Sequence, residues 1–428
     1  MRLKISNFAK IEKADIKIDG ITVICGDNDT GKSTIGKILF SIFNYEDFKN
    51  ERIEKDLKDK IFNILRKLNI RNKFGLQFLI PRESQVIDKI FEYIQSLYNN
   101  ISLEKLSEYI KNTINEDLKD IALINDNDVF LEISYDILNI ISSKNYKLIF
   151  EIMSDYFGNI FENQINNLFN KNSNAELELE VKKQKMNIEF KNDECIKFES
   201  DFNIIHNAFY IDNPFIINYI NSNVDTDNFI LEKTIHDFIS DDNKNVFDSV
   251  KNKEILEKVY DVLNSVMNAE IINKNNEYYL HYNENNTEIK LENLSAGLKS
   301  FVIIKRLLEN GSLNEKDVLI LDEPEIHLHP KWQLIYAELI VLLQKYFNLT
   351  ITITTHSHYF LEAINRFSKM HNIDERVNFY ITELAENKCN VIFKNVNDNL
   401  DIIYEKMYEP LEMLSNMREE QDNERNNP

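Results

Sequence analysis

The segment from Gly26 to Ser33 has the residue types and the spacing of a phosphate-binding loop. Its two glycines are separated by four residues and are followed by a lysine and a hydroxyl residue. Glycines let the backbone curl, so that successive amide hydrogens and the start of the next helix face a polyphosphate. Lys32 is expected to reach the β and γ phosphates of ATP, and Ser33 to place its hydroxyl on Mg²⁺. The residues predicted to bind ATP are Gly26, Asp27, Asn28, Asp29, Thr30, Gly31, Lys32, Ser33 and Thr34.

A pair of acids, Asp322 and Glu323, follows an apolar run at residues 318–321 that reads as a buried strand. Neighbouring residues of a strand point to opposite sides, so the two acids are expected to do different work. We assign Asp322 to the Mg²⁺ shell and Glu323 to polarising the attacking water. Alone, such a pair is typical of a turn after a strand; together with a phosphate loop it indicates ATP hydrolysis.

Two further residues have positions that fit the same chemistry. Ser295 precedes an apolar-periodic helix, where it can cap the helix while the amides of Ala296 and Gly297 face an anion. His356 follows a strand of β-branched residues at 350–354 and can donate a hydrogen bond to a γ phosphate. In isolation both would be ordinary structural residues, and their order along the chain relative to the phosphate loop favours the functional interpretation.

The elements around the loop are predicted from hydrophobic periodicity. Strands are expected at residues 2–5, 14–18 and 21–25, followed by a helix at 32–43. An inserted helical lobe is expected next, because apolar residues recur at helical spacing in two stripes. The stripes are Ile53, Leu57, Ile61, Leu65 and Leu68, and Leu103, Leu106, Ile110, Ile114 and Leu118.

The second half of the chain alternates strands and helices, which predicts a mostly parallel sheet. An antiparallel meander is expected at 176–198 before it, and residues 201–286 are ambiguous apart from a strand at 208–211 and a helix at 252–267. The later predictions are strands at 317–321, 350–354, 378–382 and 390–393, helices at 331–346 and 358–367, an acidic helix broken by Pro410, and a polar tail at 421–428.

Composition and charge limit the classes of partner. The 428 residues are 43% hydrophobic, and no apolar run approaches the roughly 18 residues of a membrane span. The three cysteines are scattered and no signal peptide precedes the first strand, which together predict a soluble cytoplasmic protein without a membrane partner. The 71 acidic and 50 basic residues leave a net charge of −21, which disfavours DNA unless a local basic groove binds it.

Taken together, these motifs resemble the ABC-class ATPase heads of the SMC, RecF and OLD (overcoming lysogenization defect) group. The string at residues 322–330, Asp-Glu-Pro-Glu-Ile-His-Leu-His-Pro, is typical of OLD-like ATPases, and it is supported by Asn7-Phe8-Ala9-Lys10-Ile11 and Thr355-His356-Ser357. The resemblance implies an α/β P-loop NTPase fold, an ABC-type head with an N-terminal antiparallel β subdomain and an inserted helical lobe. It implies a split head at 1–45 and 175–395, a lobe at 46–174, and a C-terminal acidic helix and tail at 396–428. It also implies head-to-tail pairing in which the signature residues Ser295, Ala296 and Gly297 act in trans.

The chain departs from the pattern of these relatives in several places. Ala296 replaces a glycine of the transporter signature, and Asp27 stands where many relatives have proline. The glutamine that links nucleotide to the lobe is not identified, with Gln77, Gln85 and Gln164 left open. The insertion is too short for an SMC arm, and too few residues follow His356 for a Toprim nuclease. His327 and His329 are interpreted as dimer-interface residues in preference to metal ligands.

The leading hypothesis is an Mg²⁺-dependent ATPase switch subunit, similar to the stand-alone ATPases of anti-phage modules such as Septu and PARIS. It would form a homodimer, with a higher oligomer left open, and act with a separate effector protein. A RecF-like DNA-repair or DNA-binding ATPase is the alternative. A transporter subunit is disfavoured by the 325–330 string and the large insertion.

Overall fold

The computed structural model describes residues 1–66, 70–72, 77–78, 85–96, 102–117, 121–122, 127–142, 146–170, 172–220, 230–231, 239, 253–275 and 277–426. The chain forms two compact units, one of Met1–Tyr45 with Met153–Pro428 and one of Glu46–Ile152. The sequence-based lobe began at the same place but ended at residue 174, so residues 153–174 group with the first unit. The functional division into head, lobe and tail stays a prediction.

Seventeen strands are described, numbered along the chain. They are β1 (Arg2–Phe8), β2 (Ile11–Lys17), β3 (Ile21–Cys25), β4 (Ile70–Asn72), β5 (Gln77–Phe78), β6 (Ile121–Ala122), β7 (Ala175–Val181), β8 (Gln184–Lys191), β9 (Glu194–Ser200), β10 (Ala208–Ile211), β11 (Glu270–Lys274), β12 (Glu277–Tyr282), β13 (Thr287–Lys290), β14 (Val318–Asp322), β15 (Thr350–Thr355), β16 (Val377–Leu384) and β17 (Val391–Asn395).

Ten α-helices and three short 3-10 helices are described. The α-helices are α1 (Lys32–Leu65), α2 (Gln85–Ser96), α3 (Leu103–Asp117), α4 (Asn127–Ser142), α5 (Tyr146–Phe161), α6 (Lys253–Val266), α7 (Ala296–Glu309), α8 (Pro330–Phe347), α9 (His358–Met370) and α10 (Asp401–Asn426). The 3-10 helices are Pro214–Tyr219, Leu291–Asn293 and Asp374–Arg376.

An 11-stranded sheet organises the first unit, in the order β10-β14-β15-β3-β16-β17-β2-β1-β7-β8-β9. The run from β10 to β16 is parallel, and the register pairs Ile211 with Leu321, Asp322 with Thr354, and Thr355 with Cys25. Carboxyl ends of parallel strands meet at one edge of a sheet. The residues that follow these strands, which include the phosphate loop and the acid pair, therefore lie along that edge.

The mixed α/β fold with an antiparallel N-terminal part and an inserted helical lobe is confirmed, but the sheet is not mostly parallel. Five strand pairs are parallel and five are antiparallel, because β1, β2 and the meander β7-β8-β9 join the same sheet, which also contains the β16-β17 pair. A separate three-stranded sheet, β11-β12-β13, lies in a stretch that the sequence left largely ambiguous.

Aromatic packing fixes the helices that carry the candidate site. Phe301 on α7 packs edge-on against Tyr336 on α8, with ring centroids 5.0 Å apart. Tyr336 lies 6.4 Å from the ring of Phe360 on α9. All three side chains are buried. This packing holds α7, α8 and α9 in a defined arrangement. Their N-termini are capped by Ser295, His329 and Ser357, respectively.

Two helices differ from the prediction. The phosphate-loop helix α1 does not end near residue 43, because no glycine or proline interrupts residues 37–65 and its apolar periodicity continues to the buried Ile61 and Leu65. Helix α10 continues through Pro410 into the predicted polar tail, since one proline removes a single i→i−4 hydrogen bond and bends a helix more readily than it ends one.

The second unit is built on its own apolar core. Helices α2, α3 and α4 contribute Ile90, Ile110 and Ile137, each fully buried, together with Leu65 from the end of α1. The stripe residues Leu68 and Leu118 lie outside the described residues. Among the helices described throughout the chain, none is long and apolar enough to cross a membrane.

Candidate nucleotide site

The predicted phosphate loop lies between β3 and α1, in the strand-loop-helix context that its chemistry requires. Gly26 has φ +150° and Gly31 has φ +72°. Residues that carry a Cβ rarely adopt these backbone conformations. A Cβ at Gly26 would fall 1.7 Å from the hydroxyl of Thr382 on β16. The loop is therefore both curled and pressed against the neighbouring strand.

Lys32 is enclosed by the loop that precedes it. Its side chain is 4% exposed, and its ammonium donates a hydrogen bond to the backbone carbonyl of Asp27 at 2.7 Å. The same ammonium lies 4.0 Å from a carboxylate oxygen of Glu323. Burial lowers the pKa of Lys32, and the nearby Glu323 and Asp322 carboxylates oppose that change. Lys32 is thus a nearly buried cation in the first turn of α1, and the N-terminus of a helix favours the binding of a polyphosphate.

Asp322 is the centre of an oxygen cluster. Ser33 donates to its Oδ1 at 3.1 Å and Tyr210 donates to its Oδ2 at 2.6 Å, while the Thr354 hydroxyl also donates to Oδ1. A hydroxyl and a carboxylate that converge beside a phosphate loop are the ligands that Mg²⁺ prefers. The residues present therefore fit a magnesium ion, which Ser33 and Asp322 would hold.

Glu323 adopts an unusual backbone conformation at the end of β14. Its φ is +49°, and its amide donates to the carbonyl and the hydroxyl of Thr354 at 3.1 and 3.0 Å. Positive φ in a residue other than glycine is costly and often found at functional sites. Here the positive φ turns the Glu323 carboxylate toward Lys32 and His356. The Nε2 atom of His356 lies 2.7 Å from Glu323 Oε1, but it makes no aligned hydrogen bond to any described residue.

Glu325 is a member of the site that the sequence did not single out. Its Oε1 accepts hydrogen bonds from the Thr355 hydroxyl at 2.6 Å and from the amides of His356 and Ser357 at 2.8 and 3.2 Å. Burial raises the pKa of this carboxyl, although these donors oppose the shift. Ser357 also donates to Gln333 on α8 at 2.7 Å. This network fixes the backbone that carries His356.

The signature residues line a different cavity. Ser295 caps α7 by accepting from the amide of Leu298 at 3.4 Å, and a cleft of about 380 Å³ opens beside it. No phosphate-loop residue of the described chain lines this cleft. Its walls are Ser295, Ala296, Gly297, His327, His329, Lys331 and Trp332.

The structure thus brings the phosphate loop, Asp322, Glu323 and His356 together and leaves the signature residues apart. Tyr210 and Thr354 were not identified as site residues from the sequence. Both lie near the ends of strands that pair with β14 in parallel, so the strand order would have been needed to find them. Of the three open glutamines, Gln77 and Gln85 belong to the second unit and Gln164 is exposed after α5. Strand β10, which pairs with β14, is followed by Asp212 and Asn213 and not by a glutamine.

Curated proteins with similar segments belong to anti-phage systems. The chain is 32% identical over 114 residues to Septu protein PtuA of Bacillus thuringiensis, which covers 23% of this chain and 28% of that protein. It is 31% identical over 134 residues to the Retron Vc95 probable ATPase of Vibrio cholerae serotype O1 biovar El Tor, over 28% of this chain and 24% of that protein. The chain thus spans about a quarter of the length of these relatives.

Solved structures give a weaker likeness over most of the chain. The SMC head domain from Thermotoga maritima is 12% identical with a TM-score of 0.38, over 92% of this chain and 98% of that chain. An Smc head bound to the C-winged helix domain of ScpA is 11% identical with a TM-score of 0.39, over 94% and 98%.

The family assignment rests on a match over most of the chain. Residues 1–361 match the AAA ATPase domain family, a span that contains the phosphate loop, Ser295, the acid pair and His356. ATPase activity, predicted from those residues, is a property of that family. The chain belongs to the AAA ATPase domain family.

Proposed function

We propose that the chain binds ATP with Mg²⁺ at the phosphate loop and hydrolyses it only when two copies pair head-to-tail. The observation that carries the proposal is the convergence of Lys32, Ser33, Asp322, Glu323 and His356 at one edge of the sheet. A cation, a hydroxyl, two acids and an imidazole are the groups that ATP hydrolysis requires.

Each side chain has a separate task in this scheme. Lys32 exchanges the Asp27 carbonyl for phosphate oxygens, while Ser33 and Asp322 hold the metal. When bound, Mg²⁺ neutralises charge on the β and γ phosphate oxygens. Glu323 orients the attacking water and accepts a hydrogen bond from it, and His356 donates to the γ phosphate from the backbone held by Glu325.

The separation of the signature cleft from the phosphate loop supports the pairing of two copies. Ser295 stands at the N-terminus of a 14-residue helix, whose amides favour an anion. Because no residue of its own phosphate loop lines that cleft, the anion it receives is the γ phosphate held by a second protomer. ATP then favours the dimer through contacts that exist only in the closed state.

In the cell, this nucleotide-driven closure would serve as the switch of a defence module. The similarity to Septu protein PtuA and to the Retron Vc95 probable ATPase supports this role. A separate effector would be held in one state of the dimer and released or activated in the other. Co-purification of the products of neighbouring genes with and without ATP tests this part: an effector retained in one nucleotide state supports it, and ATP-independent capture or DNA bound in its place contradicts it.

The composite site is tested by mixing two inactive variants. Ser295→Arg places a bulky cation where two chains meet, and Lys32→Ala removes the phosphate contact, so each should abolish hydrolysis alone. A mixed dimer retains one intact composite site, and mixing should restore part of the activity. Hydrolysis is measured against the mixing ratio.

Ser102→Arg is the matched control, because Ser102 is an exposed serine that caps α3 by accepting from the Lys105 amide at 3.3 Å. It should leave hydrolysis unchanged. If Ser295→Arg also hydrolyses ATP at the wild-type rate, or if mixing never restores activity to two folded variants, each chain works alone and the proposal is wrong.

A further inference from the structure

The phosphate loop of this chain is unusually acidic for its task. Asp27 and Asp29 stand within it, with side chains 70% and 79% exposed. Carboxylates at this place repel the phosphates that the loop is expected to bind. Each carboxylate is paired with a lysine from outside the loop: Asp29 with Lys10, and Asp27 with Lys406.

The lysine that faces Asp27 comes from the C-terminal helix α10. Its ammonium lies 2.9 Å from Asp27 Oδ2 and donates to the backbone carbonyl of Thr382 at 3.3 Å. The hydroxyl of Thr382 donates in turn to the hydroxyl of Thr30 at 2.7 Å. Lys406 therefore contacts the loop at Asp27 directly, and the strand end that braces the loop at Thr30.

Helix α10 is also anchored to α9. Tyr404 donates a hydrogen bond to Glu362 on α9, and the ring of Tyr408 lies 5.1 Å from the ring of His358. These contacts hold the turn of α10 that carries Lys406 in place. The Lys406 side chain is 28% exposed, so it is partly shielded from solvent while its ammonium faces Asp27 of the loop.

We propose that Lys406 is a positioning residue for ATP binding: it neutralises and holds the Asp27 carboxylate, and so lets the loop accept a polyphosphate. This inference rests on the proposed function, since it concerns the same nucleotide site. It makes the C-terminal helix, which lies beyond the residues that match the family, part of that site.

The test is a double-mutant cycle on the full-length protein, with the dissociation constant for ATP and Mg²⁺ measured by calorimetry. Lys406→Met should weaken binding by about three- to tenfold, since an uncompensated carboxylate then faces the phosphates. Lys406→Arg keeps the charge and should bind within about twofold of wild type. In an Asp27→Asn background there is no carboxylate to neutralise, and Lys406→Met should have little further effect.

The control is Lys394→Met, which removes another ion-paired lysine, the partner of Glu383 on the β16-β17 hairpin. It should leave ATP binding unchanged. Wild-type affinity in Lys406→Met, or an equal loss in the Asp27→Asn background, would overturn the inference, because a merely structural role is not rescued by removing a charge. Failure of the wild-type protein to bind ATP would overturn the proposed function itself. In a wild-type protein that binds ATP, Lys32→Ala should remove binding whether or not Lys406 contributes to it.

Discussion

Glu325 offers the most detailed prediction, because its partners define what its loss would cost. In Glu325→Leu the Thr355 hydroxyl and the His356 amide lose their acceptor, while the Ser357 amide keeps the Thr355 hydroxyl at 3.0 Å. A buried donor without a partner costs about 1–3 kcal/mol, so two such donors cost about 2–6 kcal/mol. The relief of removing a buried carboxylate reduces this to a net loss of about 1–4 kcal/mol. Hydrolysis should fall too, because the backbone of His356 is released.

Glu325→Gln is the informative second variant. It keeps an acceptor oxygen for all three donors, so its free energy of unfolding should lie within about 1 kcal/mol of wild type. Urea denaturation and ATP turnover measure both effects, with Glu386→Leu at an exposed position as control. Glu325→Leu with the stability and turnover of wild type would refute the role given to this carboxylate.

The same carboxyl predicts a pH dependence of stability. Burial raises the pKa of Glu325 above 4.5, so the folded protein binds more protons than the unfolded chain as pH rises above that value. Stability from this group is therefore lost as pH rises through the folded pKa, and Glu325→Gln should lack that part of the slope. Equal slopes in the two proteins would contradict the assignment.

Three further predictions concern the nucleotide. Asp322→Asn should lose the Mg²⁺ dependence of ATP binding, measured by titration with and without the metal, and unchanged dependence would contradict its assignment as a ligand. Burial lowers the pKa of Lys32 below the usual 10.5, so its ammonium loses the proton at a lower pH than a free lysine. ATP affinity measured from pH 7 to 10 should therefore decline as the amine deprotonates. An affinity that does not change over this range would contradict the role of Lys32 in phosphate binding. In Gly297→Ala the new Cβ would lie 2.8 Å from the carbonyl of His327, so hydrolysis should fall while ATP binding by one chain persists, and normal turnover would show that the cleft is not used.

Local patterns predicted those parts of the site that are contiguous in the chain. The phosphate loop and the acid pair could be proposed from sequence because residue type, spacing and the adjacent strand are enough to predict their roles. The meander β7-β8-β9 was predicted for a similar reason, since period-two alternation is itself a local signal. These features need no knowledge of which strands are neighbours.

Contacts between distant elements were not accessible in the same way. Tyr210 lies 112 residues from Asp322, whose carboxylate it contacts, and becomes part of the site only because β10 pairs with β14. Lys406 reaches the loop from a helix about 380 residues later, with nothing in its own surroundings to mark it. The length of α1 was underestimated although the signal was local, since no glycine or proline interrupts residues 37–65.

The most direct test of paired action is the mass of Glu323→Gln in solution, measured by light scattering with and without ATP and Mg²⁺. This variant should bind ATP but fail to orient the water, so the closed state should accumulate. We expect the mass of one chain without nucleotide, twice that mass with it, and no change on adding ATP when Ser295→Arg is introduced as well. A mass that does not respond to ATP in protein shown to bind it, or a doubling that survives Ser295→Arg, would contradict the claim that ATP joins two chains through the signature serine.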